Sequence, residues 1–132
     1  MTFTTPCFVR VENPEKRKEL IEWLELIGYK LEYLRNDGVI VLTSENRVYV
    51  YGEAVHEIIK SDYDAIDCGK NIELFKALAA MNYENYREQW FVEEGKMFKC
   101  TSDKINNYPY NWPNTRKATV EEIVEYFKNK ER

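Results

Sequence analysis

Residues 67–100, DCGKNIELFKALAAMNYENYREQWFVEEGKMFKC, constrain the fold more than any other stretch, because they hold the chain's densest apolar content in a definite order. Residues 65–68 read as a short strand. Asn71 can cap a helix whose apolar stripe, Leu74, Phe75, Leu78 and Met81, recurs at steps of three and four, with Asn82 at its end. Residues 89–93 and 96–100 then form a hairpin about Glu94-Gly95.

The preceding half reads as a looser copy of this plan. Residues 7–11, CFVRV, are a β-branched and aromatic run and predict a strand. Asn13 followed by Pro14 starts a helix, with Asn as N-cap and Pro at the first helical position. Its stripe is Leu20, Trp23, Leu24 and Ile27, widened by Ile21, and Gly28 ends it in the left-handed position that glycine takes freely. Residues 29–35, 39–43 and 47–51 predict an antiparallel meander, its first turn made by Asn36-Asp37-Gly38. Alternation sets Val48 and Val50 on one face of the third strand and Arg47, Tyr49 and Tyr51 on the other. In residues 53–64, Val55, Ile58 and Ile59 fit one edge of a short helix, and extended structure fits as well.

Laid over each other, the halves match Leu20 with Leu74, Leu24 with Leu78 and Tyr29 with Tyr83. Either the chain carries two βαββ-like pseudo-repeats or two amphipathic helices simply align. After residue 100, TSDKINNYPYNWPNTRK has no regular period and reads as a loop over 101–118. Thr119 and Glu122 then spell a capping box for a C-terminal helix over 119–130, with Val120, Ile123, Val124 and Phe127 as its stripe. The expected fold is α+β: an antiparallel sheet of about five to seven strands with helices on one face. The 132 residues form a single domain, with halves at 1–52 and 65–100.

Composition bounds the function. With 44% hydrophobic and 32% charged residues the chain is globular, and at this length folding buries roughly two thirds of the unfolded surface. Net charge is −4, which argues against generic nucleic-acid binding. Three cysteines, Cys7, Cys68 and Cys100, without a CxxC, fit buried thiols in a reducing cytoplasm better than disulfides or zinc. No signal-peptide pattern or membrane-length apolar run appears, so a soluble cytoplasmic protein is expected.

Several segments carry a resemblance. CGKNIELF (68–75), QWF (89–91) and RKATVEE (116–122) are similar in kind and order to segments of short uncharacterised proteins encoded by phages and prophages of gut bacteria. The Pro6-Cys7-Phe8 start and the Asn13-Pro14-Glu15 helix opening fit loosely, and residues 29–66 fit least. The resemblance implies a phage-related accessory protein acting in the host cytoplasm. It brings no activity, cofactor or catalytic residue.

The best candidate for function is the segment 96–117. Tyr108, Tyr110 and Trp112 alternate through a Pro-punctuated loop, and Lys99, Lys104, Arg116 and Lys117 surround them. Aromatic faces stack on bases or pack into a partner protein, while cations hold phosphate or carboxylate. Equally, the rings can fold back over an open core edge. His56 is the chain's one histidine, so a cysteine-dependent enzyme needs Cys7 or Cys68 beside it. Neither a phosphate loop, a metal-ligand set nor a paired-carboxylate spacing is present. The expectation is therefore a non-enzymatic protein, without metal or cofactor, that binds a host protein and counters host defence. The alternatives are a binder of nucleotide, short single-stranded nucleic acid or another anionic ligand through the basic aromatic loop, and the cysteine enzyme. A homodimer seamed by Tyr33, Tyr49 and Tyr51 is a further option.

Overall fold

The computed structural model describes residues 6–33, 38–43, 47–51, 65–82, 89–99 and 115–130. These comprise three α-helices and eight strands in two sheets, an α+β arrangement. The chain divides into two compact units, 1–82 and 83–132.

In the first unit, β1 (Cys7–Arg10) leads into α1 (Pro14–Leu26). Asn13 Oδ1 accepts the amides of Glu15 and Lys16 at 2.9 and 3.2 Å, so the cap expected from sequence forms. The helix ends at Gly28, whose φ of +108° is the left-handed turn a side chain would resist. Leu20, Ile21 and Leu24 turn inward. Arg17 is buried with them, and its guanidinium donates to the carbonyls of Val11 and Glu12 at 3.0–3.3 Å, fastening α1 to the end of β1.

Then come β2 (Lys30–Tyr33), β3 (Val39–Leu42) and β4 (Arg47–Tyr51), followed by β5 (Ile66–Asp67) and α2 (Ile72–Ala79) with a short 3₁₀ turn, Ala80–Asn82. The sheet order is β2-β4-β3-β1-β5. The β3–β4 pair is antiparallel, as the meander requires, but β2 lies parallel to β4, and β5 parallel to β1. The expected all-antiparallel sheet is thus a mixed one. The reason is burial. Val39 to Leu42 are all buried, so β3 needs a neighbour on each side and takes β1 and β4. KLEY, with its alternating charges, suits the edge.

Register places Cys7, Val9, Ile40, Leu42, Val48 and Val50 on one face of this sheet. Tyr29, whose hydroxyl donates to the carbonyl of Ala79, ties the end of α1 to α2, and Lys76 on α2 stands 4.8 Å over the ring of Trp23 on α1. The other face carries a cluster of Phe8, Val39, Val41 and Ala65, with Tyr49 packed against it. Tyr49 thus packs against a core while staying partly exposed. The side chains of Tyr33 and Tyr51 lie outside the described residues.

The second unit contains β6 (Trp90–Glu93), β7 (Lys96–Lys99), β8 (Thr115–Lys117) and α3 (Val120–Lys130). The sheet is antiparallel, in the order β7-β6-β8. The expected hairpin about Glu94-Gly95 forms, with both turn residues at positive φ. Where an unbroken loop over 101–118 was expected, residues 115–117 add a strand to β6. Three residues are too few to show a period, and only the pairing reveals them. The two halves share an order of strand, helix and strands, but the sheets divide them differently. β5 joins the first sheet, and β6 and β7 belong to the second. The short helix or extended run considered for residues 53–64 lies outside the described residues.

Candidate functional site

In the second unit an open cleft of about 640 Å³, lined by described residues, lies between the three-stranded sheet and α3. Register explains the sheet side. Met97, Val92 and Arg116 form a row across β7, β6 and β8, so their side chains share a face. The helix side is supplied by Glu122, Glu125, Tyr126 and Asn129, whose steps of three, one and three put them on one stripe of α3. That stripe runs beside Ile123 and Phe127, which are buried. Glu94 and Gly95 in the β6–β7 turn, with Thr115, complete the lining.

An aromatic cluster holds α3 in place. Trp90 lies next to Val92 on the same sheet face, with ring centroids 5.3 Å from Tyr126 and 5.2 Å from Phe127, the latter edge-on. Offset and edge-to-face rings of this kind add attraction beyond the area they bury. On the opposite face Phe91, fully buried, stacks on Phe98 at 6.0 Å.

At one end of the cleft, polar groups satisfy one another. Glu122 Oε1 accepts the Thr119 amide at 2.9 Å, and Thr119 Oγ1 accepts the Glu122 amide at 3.2 Å, which is the capping box expected from sequence. Arg116 adds a fork, its two terminal nitrogens donating to the two carboxylate oxygens at 2.7 and 2.8 Å. Those Arg116 hydrogen bonds, with the Thr119 amide next, hold the Glu122 carboxyl down to about 2. The same carboxylate raises the pKa of Arg116.

Of the candidate site residues, Lys99, Arg116 and Lys117 fall within the described residues. Tyr108, Tyr110, Trp112 and Lys104 lie outside the described residues. Arg116 lines the cleft, engaged with Glu122. Lys117, the next residue on the strand, leaves the opposite face, opposite Phe91, and partial burial lowers its pKa. Lys99 shares the cleft's sheet face one row away, opposite Trp90, and is half-buried. The sequence does not mark Glu94, Met97, Glu125, Tyr126 or Asn129 as site residues, Glu94 being read only as part of a turn. The signal for the three helix residues was available: Glu125, Tyr126 and Asn129 keep helical spacing from Glu122, one step aside from the apolar stripe.

The thiols are placed differently. Cys7 and Cys68 are both buried in the first unit. Burial pushes the Cys7 thiol well up, and the adjoining Cys68 thiol adds to the shift. That direction is the reverse of the one that activates a nucleophile. His56 lies outside the described residues. Among the described residues no group of three or more His, Cys, Asp or Glu side chains is arranged to hold a metal ion. No described helix is long and apolar enough to cross a membrane.

Comparison with known proteins adds no relative: no family model, curated protein or solved structure matches the chain.

Proposed function

We propose that the chain is a non-enzymatic accessory protein that acts by binding another protein, with the cleft of the second unit as the contact surface. The observation that carries this reading is the cleft's lining. Met97 and Tyr126 stay partly exposed beside Val92 in a concavity of about 640 Å³. Protein interfaces favour methionine and tyrosine at such positions, because both offer large adaptable contact area. The resemblance to phage proteins makes a host protein in the cytoplasm the partner, and interference with host defence the role. Burial and the raised pKa of Cys7 support a non-enzymatic reading over a cysteine nucleophile. Nucleotide binding in this cleft has less support, since Arg116 already grips Glu122, and Glu94 and Glu125 line the space a phosphate would enter.

The test is affinity capture of the tagged chain from bacterial lysate, with retained proteins and small molecules identified separately. The expected result is one protein species held in stoichiometric amount, and lost from a Met97→Glu variant whose circular dichroism is unchanged. Retention of nucleotide or nucleic acid alone, or of nothing, contradicts the proposal.

A further inference from the structure

We infer that this cleft receives a lysine or arginine side chain of the partner, carried on a segment with apolar residues beside it. The inference rests on the reading that the chain binds a protein, and it names the chemistry of what is bound. Three carboxylates line the cleft, those of Glu94, Glu122 and Glu125, against the single guanidinium of Arg116. Arg116 and Glu122 neutralise each other in the two-pronged pair. Glu94 and Glu125 are left with no ion pair to any described residue, and the lining is net negative.

Val92, Met97 and the Tyr126 ring share the lining with these carboxylates. A long cationic side chain is amphipathic in the same pattern, laying its methylenes along apolar surface while its charged head seeks a carboxylate. The Tyr126 ring already attracts one such head from its own chain, with Lys130 Nζ 4.9 Å from its centroid.

Other occupants fit less well. An anion would meet two carboxylates. A purely apolar segment would strip water from Glu94 and Glu125 without replacing it. A second copy docking cleft to cleft would bring like charges together, because a two-fold contact pairs a surface with itself.

The experiment uses the full ¹⁵N-labelled chain and two short synthetic peptides, one alternating leucine with lysine, the other leucine with glutamate. The lysine peptide is expected to shift the amides of Val92, Gly95, Glu125 and Asn129, and to bind more weakly as salt is added. The glutamate peptide is expected to shift none of them. The double change Glu94→Gln with Glu125→Gln removes charge at nearly constant shape, and is expected to weaken the lysine peptide about tenfold. Undiminished binding by that variant, shifts that map elsewhere, shifts from the glutamate peptide, or no binding by the lysine peptide each overturn the inference. So do concentration-dependent shifts of those amides without peptide, which mark self-association. If the inference fails while the wild-type chain still captures a protein from lysate, the binding role stands and only the partner's chemistry is wrong. If nothing is captured, the role itself fails.

Discussion

Each unit has a strand with a neighbour on both sides, β3 in the first and β6 in the second, and those strands differ in what surrounds them. Residues Val39 to Leu42 of β3 are at most 1% exposed, so both faces of that strand are dry. In β6 only Phe91 is fully enclosed. Val92 borders the cleft, Trp90 is partly exposed and Glu93 is exposed. A strand dry on both faces does little but stabilise. A strand with one face held by a helix through aromatic rings leaves room for an occupant beside that contact. The central strand of the first unit is closed on both faces, whereas β6 keeps an open cleft beside its helix, and the proposed contact surface is that cleft.

Substitutions can break or sharpen this contrast. Phe75→Ala, at a fully buried site on α2, is expected to cost about 3–5 kcal/mol in urea unfolding and to leave peptide binding at the cleft unchanged. Phe127→Ala on α3 should cost less, about 2–3 kcal/mol, because its partners Trp90 and Tyr126 are partly exposed and solvent can enter the space. An equal or larger loss at Phe127 would contradict the contrast. Thr119→Ala removes the cap of α3 and should lower stability by about 1 kcal/mol.

Glu94→Asn is expected to act in the opposite direction. Glu94 holds a φ of 51°, a left-handed conformation that asparagine tolerates better, so the change should stabilise the fold by about 0.5–1 kcal/mol. It should also weaken the lysine peptide, which separates the residue's cost to folding from its use in binding. The smallest expected effect is on pH dependence. Glu122 titrates lower in the folded chain than its ordinary 4.5, so its contribution is complete above that value. It is lost as pH falls through about 2. Thermal melts across that window should show a shallow acid loss that Glu122→Gln flattens, because solvent screens an exposed pair.

Local signals in the sequence were reliable where a few neighbouring residues decide the outcome. The Asn13 and Asn71 caps, the Gly28 stop, the Thr119–Glu122 box and the Glu94-Gly95 turn each depend on hydrogen bonds or φ angles within a few residues. Strand partners were not legible, because pairing is a competition among distant segments for burial. VIVL (39–42) won the centre and KLEY (30–33) the edge, a contrast visible in the sequence although it does not specify the parallel pairing of β2 with β4. The burial of Arg17 was hidden for the same reason, since its partners are carbonyls exposed only by the fold. At the site, Arg116 could be marked as a cation. Its capture by Glu122, and the carboxylates left over around the cleft, required the helix to be set against the sheet.

The most direct test of the contrast is hydrogen–deuterium exchange on the full chain, alone and with the protein it captures. The account predicts new protection in residues 92–97 and 122–129, with 39–42 protected equally in both states. Protection that appears only within residues 6–82, with 92–97 and 122–129 unchanged, would contradict it.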